Sequence, residues 1–154
     1  MKFTTQDEFS NFTYQDVHIA DIQITSGFFC MHLDNVTILP ENSCNRDIRK
    51  MRANNLILRI TEGQVRRLVR EGFRTYNADG VLMGQTPDEE LSPEAYAQAA
   101  EAFVDGMMYS AERTQTEDGY QYTFVIDASD ERTYAMTVCG SGDTQEWDRF
   151  LNPE

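Results

Sequence analysis

A chain of 154 residues with 40% hydrophobic and 11% aromatic side chains can bury a stable core without disulfide or metal staples and is too apolar for disorder. Its formal charge of −13 sets it against nonspecific binding to DNA or to an anionic membrane, because like charges repel. No apolar run approaches the roughly 20 residues that span a bilayer, so direct nucleic-acid or membrane partners are not expected.

The charge is unevenly divided. Residues 1–84 carry ten acids and ten bases, whereas residues 85–154 carry sixteen acids against Arg113, Arg132 and Arg149. Nine of the thirteen bases crowd into 46–74. The expected surface has a basic patch and an acidic flank. The opening residues are polar where a secretory signal would be apolar. Cys30, Cys44 and Cys139 are an odd, widely spaced set that reads as reduced thiols, Cys30 and Cys139 in the core and Cys44 in an exposed loop. A cytoplasmic location is the expectation.

In chain order, Thr5-Gln6-Asp7-Glu8 has capping-box spacing and predicts a short helix to about Asn11. Val17–Thr25 and Phe28–Leu33 predict a hairpin around Ser26-Gly27. Val17 and Ile19 share one parity and Ile22 and Ile24 the other, so a bulge is expected near Ala20-Asp21. Val36–Leu39 reads as a strand that Pro40 ends, and residues 41–54 as a polar connection. Leu56–Thr61 predicts a strand that Glu62-Gly63 turns back into Gln64–Arg70. The latter also fits a helix, but it is short for one and closely bracketed by Gly63 and Gly72. Phe73–Tyr76 continues after a kink, Asn77-Ala78-Asp79-Gly80 turns, and Val81–Met83 returns.

Residues 86–91 form a linker. Ser92-Pro93-Glu94 then opens the strongest helix, near 93–104, with Tyr96, Ala99, Ala100 and Phe103 on one face. Met107–Thr114, Tyr120–Asp127 and Arg132–Cys139 form an antiparallel meander with alternating apolar residues. Asp143-Thr144-Gln145-Glu146 has capping-box spacing again and predicts a closing helix bearing Trp147, Phe150 and Leu151. The fold expected is mainly β, at the α+β border: an antiparallel β-sandwich or curved barrel capped by short helices. It forms a single domain over 1–154, with an N-terminal β-unit at 1–85 and a helix-plus-meander unit at 92–154.

Little chemistry is legible. His18 and His32, with Asp16, Asp21 or Asp34, offer a weak metal set without ligand spacing, and strand histidines more commonly satisfy a hydrogen bond. The loop Glu41–Asp47 lacks the glycine and glutamate of a calcium loop, and Asn and Ser there tend to bond their own backbone. Tyr120, Tyr122 and Phe124 could stack sugars, but their alternation fits a core face. No cofactor and no metal are expected and no catalytic residue is assigned. Were the protein an enzyme, His18 and His32 would be tested first. The candidate binding residues are Arg59, Arg66, Arg67, Arg70 and Arg74, which suit a phosphate, a carboxylate or the chain's own acids. On a hairpin, Arg59 would oppose Arg66.

The run Asn42-Ser43-x-Asn45, the pattern Tyr76-Asn77-Ala78-Asp79-Gly80 and the ending Glu146-Trp147-Asp148-Arg149-Phe150-Leu151 resemble a group of small uncharacterised proteins of anaerobic bacteria. Some of these carry the label of a lantibiotic (subtilin) biosynthesis sensor. The shared motifs are a loop, a turn and a closing helix, and the chain has neither a phosphoacceptor-histidine helix nor a nucleotide-binding glycine box, so the resemblance implies no catalytic residue. The reading that remains is an acidic, noncatalytic binding or protein-interaction domain, homodimerisation being one form. The alternatives are a barrel-type binder of a small anionic or apolar ligand and an acidic inhibitor that mimics nucleic acid.

Overall fold

Alternation decides most of the strands. The computed structural model describes residues 2–152. In β13 (Tyr120–Asp127) and β14 (Thr133–Gly140) every second residue, Tyr122, Phe124, Ile126, Tyr134, Met136 and Val138, is buried. In β3 (Val17–Thr25) the register with β4 (Phe28–Asp34) shifts between Ile19 and Asp21, so Val17 and Ile19 before the bulge and Ile22 after it all reach the core. The parity conflict in the sequence is resolved there as expected.

Ten strands form one antiparallel sheet. Its order runs β1 (Phe3–Gln6), β15 (Gly142–Trp147), β7 (Leu56–Thr61), β4, β3, β12 (Met107–Gln115), β13, β14, β8 (Gln64–Arg70) and β11 (Glu89–Glu90). The sheet is not closed into a barrel: β1 and β11 are its edges. Phe29 on β4 nevertheless stacks on Phe124 of β13 with ring centroids 5.7 Å apart. Three strand steps in a flat sheet would separate them by roughly 14 Å, so the sheet folds over on itself into a sandwich. The crease lies at the β3–β12 joint, where just two pairs form, Met107↔His18 and Met108↔Val17. On the opposite side the chain crosses between layers at two corners, Glu62-Gly63 and Ser141. The corners touch, Ser141 N–H donating to Thr61 O at 2.9 Å. A Cβ on Gly140 would stand 2.5 Å from Ile60 Cγ2, so the crossing needs glycine there.

A three-stranded sheet of β2 (Phe12–Thr13), β5 (Val36–Ile38) and β6 (Met51–Ala53) covers one end of the core, with Phe12 edge-on to Trp147 at 5.6 Å. Pro93–Ala95 is a 3-10 turn that leads into α1 (Tyr96–Glu101), where Ala100 is buried. Phe103, just beyond, packs against Tyr134. Asp105 at φ 65° ends this segment, so the helix is shorter than its apolar spacing suggests. Among the described residues no helix is long and apolar enough to cross a membrane.

Four local expectations are corrected. Residues Phe3–Gln6 are strand and Phe9–Asn11 a 3-10 turn without a side-chain cap, because Asp7 takes φ 58°. Residues Gly142–Trp147 are strand, not helix: Asp143, Gln145 and Trp147 point inward in alternation. β7 and β8 do not pair; β7 lies between β15 and β4, and β8 between β14 and β11. The connection 41–54 contains β6, and Cys44 and Cys139 are both half-buried, so neither the exposed-loop nor the core placement holds for them. Gln64–Arg70 is strand, as favoured. Strands from 1–85 and from 92–154 share the large sheet.

Candidate interaction surface

Phe73–Tyr76 (β9) and Leu82–Thr86 (β10) belong to neither large layer. They form a two-stranded ribbon of their own. Its turn is built by Asn77, whose Oδ1 accepts from Asp79 N at 2.9 Å and Val81 N at 3.0 Å, with Gly80 at φ 80°. This is the side-chain turn that Asn makes readily, closed by the residue for which a positive φ costs least. At the base, Gly72 N–H donates to Asp88 Oδ1 at 2.7 Å, and the Arg132 guanidinium lies 5.2 Å from the Phe73 ring centroid.

Large apolar side chains stay in solvent along this ribbon. Phe73 is 50% exposed, Tyr76 56%, Val81 55%, Leu82 47% and Met83 65%. Cross-strand pairing puts Tyr76 with Leu82 and Arg74 with Gln85 on one face, and Phe73 with Thr86 on the other. A groove of about 540 Å3 runs along the base, lined by Gly72, Arg74, Gln85 and Pro87 among others. The strand pair was expected from the turn; its exposure was not, since apolar residues in strands ordinarily report a core.

The five candidate arginines are spread over three elements. Arg59 sits on β7 and its Nη1 donates to Glu146 Oε1 on β15 at 2.7 Å. Arg67 and Arg70 on β8 bond Glu90 and Glu89 of β11, Arg67 Nε at 2.5 Å. Arg66 falls at the bulge between the Arg67↔Thr137 and Val65↔Val138 pairs and is exposed, and Arg74 is exposed on the ribbon. Neither makes an ion pair among the described residues. Because β7 and β8 are not a hairpin, Arg59 does not face Arg66. The acids of the C-terminal segment pair with three of the five.

His18 and His32 are not opposite one another: His18 pairs with Asp34 in register, and His32 with Asp21. Both ring nitrogens of His18 meet carboxylates, Nδ1 at 3.2 Å from Asp34 Oδ2 and Nε2 at 3.1 Å from Asp105 Oδ1. The Asp34 hydrogen bond is the larger of the influences that raise its pKa above the ordinary value. Among the described residues no group of three or more His, Cys, Asp or Glu side chains could hold a metal ion. In the 41–47 loop, Asn42 Oδ1 accepts from Cys44 N, and Asn45 Nδ2 donates to the carbonyls of Ile38, Leu39 and Arg49. These asparagine groups serve the backbone, while Ser43 Oγ donates to Glu8 and Asp47 pairs with the Arg49 guanidinium.

One polar cluster escaped the sequence reading. Asp143 is fully buried. Its Oδ2 accepts from Tyr122 Oη at 2.6 Å and Arg113 Nη1 at 2.9 Å, and its Oδ1 from Gln145 Nε2 at 2.7 Å. Thr5 Oγ1 donates to Gln145 Oε1 at 2.6 Å, and the Arg113 guanidinium lies 4.4 Å from the Tyr120 centroid. Burial, followed by the bond to Asp143, pushes the Tyr122 phenol well above its usual pKa, so it stays a donor. With both oxygens occupied, Asp143 ties strands together and presents no free acid or base. The signal was alternation of polar residues, which looks the same as a solvated segment.

No protein-family model, curated protein or solved structure matches this chain.

Proposed function

We propose that the protein is a noncatalytic interaction domain of the cytosol and that the β9–β10 ribbon is its contact element. The observation that carries this is the run of five half-exposed apolar side chains on a ribbon outside the core. Full burial of such a side chain is worth ~1.5–3 kcal/mol, so the ribbon withholds several kcal/mol that folding alone does not recover. Exposed apolar patches mark contact sites, and Tyr76 and Leu82 sit together on one face of the ribbon. Arg74, exposed among them, adds the cation–aromatic chemistry common at interface centres. The sandwich interior is filled by Trp147, Tyr122, Phe29 and Phe124, which favours a surface contact over an internal ligand. Three free thiols, Cys30, Cys44 and Cys139, suit a reducing compartment.

The test is photo-crosslinking in the producing cell, with a benzophenone side chain placed at Met83 and, as control, at Glu117 on an exposed turn of the main sheet. A discrete adduct from position 83 and none from 117 is expected. Equal or absent adducts at both positions would refute the ribbon as contact element.

A further inference from the structure

The ribbon has two open edges, and they are not equivalent. β10 is broken by a register shift between Leu82 and Gly84 and runs directly into Pro87; bulges and prolines blunt an edge. β9 is regular over its four residues. Asn77 N–H points toward β10, donating to Val81 O at 3.0 Å. Backbone groups alternate in direction along a strand, so Thr75 and Phe73 also address β10. The N–H and C=O of Arg74 and Tyr76 point away, into solvent. They are unused strand-pairing groups on an apolar, exposed ribbon.

Charge limits who can meet this edge. Two copies at −13 each repel over most of their surfaces. Residues 73–86 hold one arginine, Arg74, and one acid, Asp79, so the ribbon is locally neutral. Glu71, Asp130 and Glu131 flank the base of β9 beside Phe73, so the approach least opposed by charge is along residues 74–76, where the one ionised side chain is Arg74.

We propose that a second copy of this chain occupies the edge, β9 pairing antiparallel with β9 about a two-fold axis at Thr75. This rests on the reading of the ribbon as contact element and names its occupant. The two-fold preserves the faces of the sheet, so each residue pairs with one of its own parity. Centring on Arg74 would oppose two arginines, which is unfavourable. Centring on Thr75 instead places Arg74 across from the partner's Tyr76, twice, with the outward N–H and C=O groups of 74 and 76 bonding each other. The guanidinium then meets an aromatic ring, and Tyr76 and Leu82 continue across a four-stranded sheet. Thr75 faces its own copy as a non-hydrogen-bonded pair, with Cα atoms about 4.5 Å apart.

Two measurements test this. Light scattering on the eluting protein should give twice the chain mass of 17.7 kDa, falling to that of one chain for Leu82→Asp with Tyr76→Asp. In a background lacking the two half-buried thiols (Cys44→Ser, Cys139→Ser), Thr75→Cys should form a covalent dimer under mild oxidation. Arg74→Cys and Tyr76→Cys should not, because their like positions would lie roughly 8 Å apart across the axis. A single-chain mass at all concentrations overturns self-pairing and leaves the ribbon open to a different protein, which the Met83 crosslink reads separately. Equal crosslinking from 74, 75 and 76 overturns the register. Unchanged Trp147 fluorescence in each variant shows that the sandwich is intact.

Discussion

Tyr122 on β13 and Asp143 on β15 lie five strands apart in the sheet order, yet the phenol donates to the carboxylate at 2.6 Å. The bond spans the interior from one layer of the sandwich to the other. Arg113 of β12 joins it from Tyr122's layer, and Gln145 and Thr5 from Asp143's. Replacing Asp143 with Ala strands a partly buried guanidinium and two donors, at an expected cost of about 3–5 kcal/mol. Tyr122→Phe removes one donor and should cost about 1–3 kcal/mol. Urea unfolding followed through Trp147 measures both. A loss below about 1 kcal/mol for Asp143→Ala would show that the layers do not depend on this link.

Gly72 sets where the ribbon leaves the sandwich. A Cβ at this position would lie 1.9 Å from Thr86 O and 2.6 Å from Pro87 C. Both are backbone atoms that cannot rotate aside. Gly72→Ala should therefore push the β9–β10 base apart while leaving the main sheet folded. Amide exchange across 73–86 should quicken with no change elsewhere. Uniform protection matching the parent protein would mean that the ribbon base absorbs the added methyl without opening.

His18 makes stability depend on pH. Asp34 and Asp105 face its two ring nitrogens from β4 and from the segment before β12, and they raise its pKa, the Asp34 hydrogen bond most. The folded state holds the proton more tightly than the unfolded chain. The stabilisation is complete below the ordinary value of 6.5 and is lost as pH climbs through the raised one. The ring is 38% exposed, which keeps the effect to about 1 kcal/mol or less. His18→Gln should flatten the stability profile as pH rises above 6.5. Parallel profiles for the two proteins would remove His18 as the source.

The meander was legible because Tyr122, Phe124 and Ile126 are apolar and their neighbours less so. β15 was not, since two of its three inward residues are Asp143 and Gln145, and a buried carboxylate with partners in other strands resembles a helix cap when read locally. Glu62-Gly63 marked a turn correctly, but a turn signal does not say whether its arms pair. Here they part into different layers, and that separates Arg59 from Arg66. The same blindness hid the ribbon's exposure: Phe73, Tyr76 and Leu82 have the composition of a core, and sheet order alone places them outside it.

β1 pairs with β15, Phe3 lying opposite Trp147. Of the strands described, the first to be made is therefore among the last to find its hydrogen-bonding mate. Until Gly142–Trp147 has been made, Phe3–Gln6 and the flank of β7 that β15 covers remain bare. The nascent protein must keep both from its neighbours on the polysome until β15 has cleared the ribosome and docked between them.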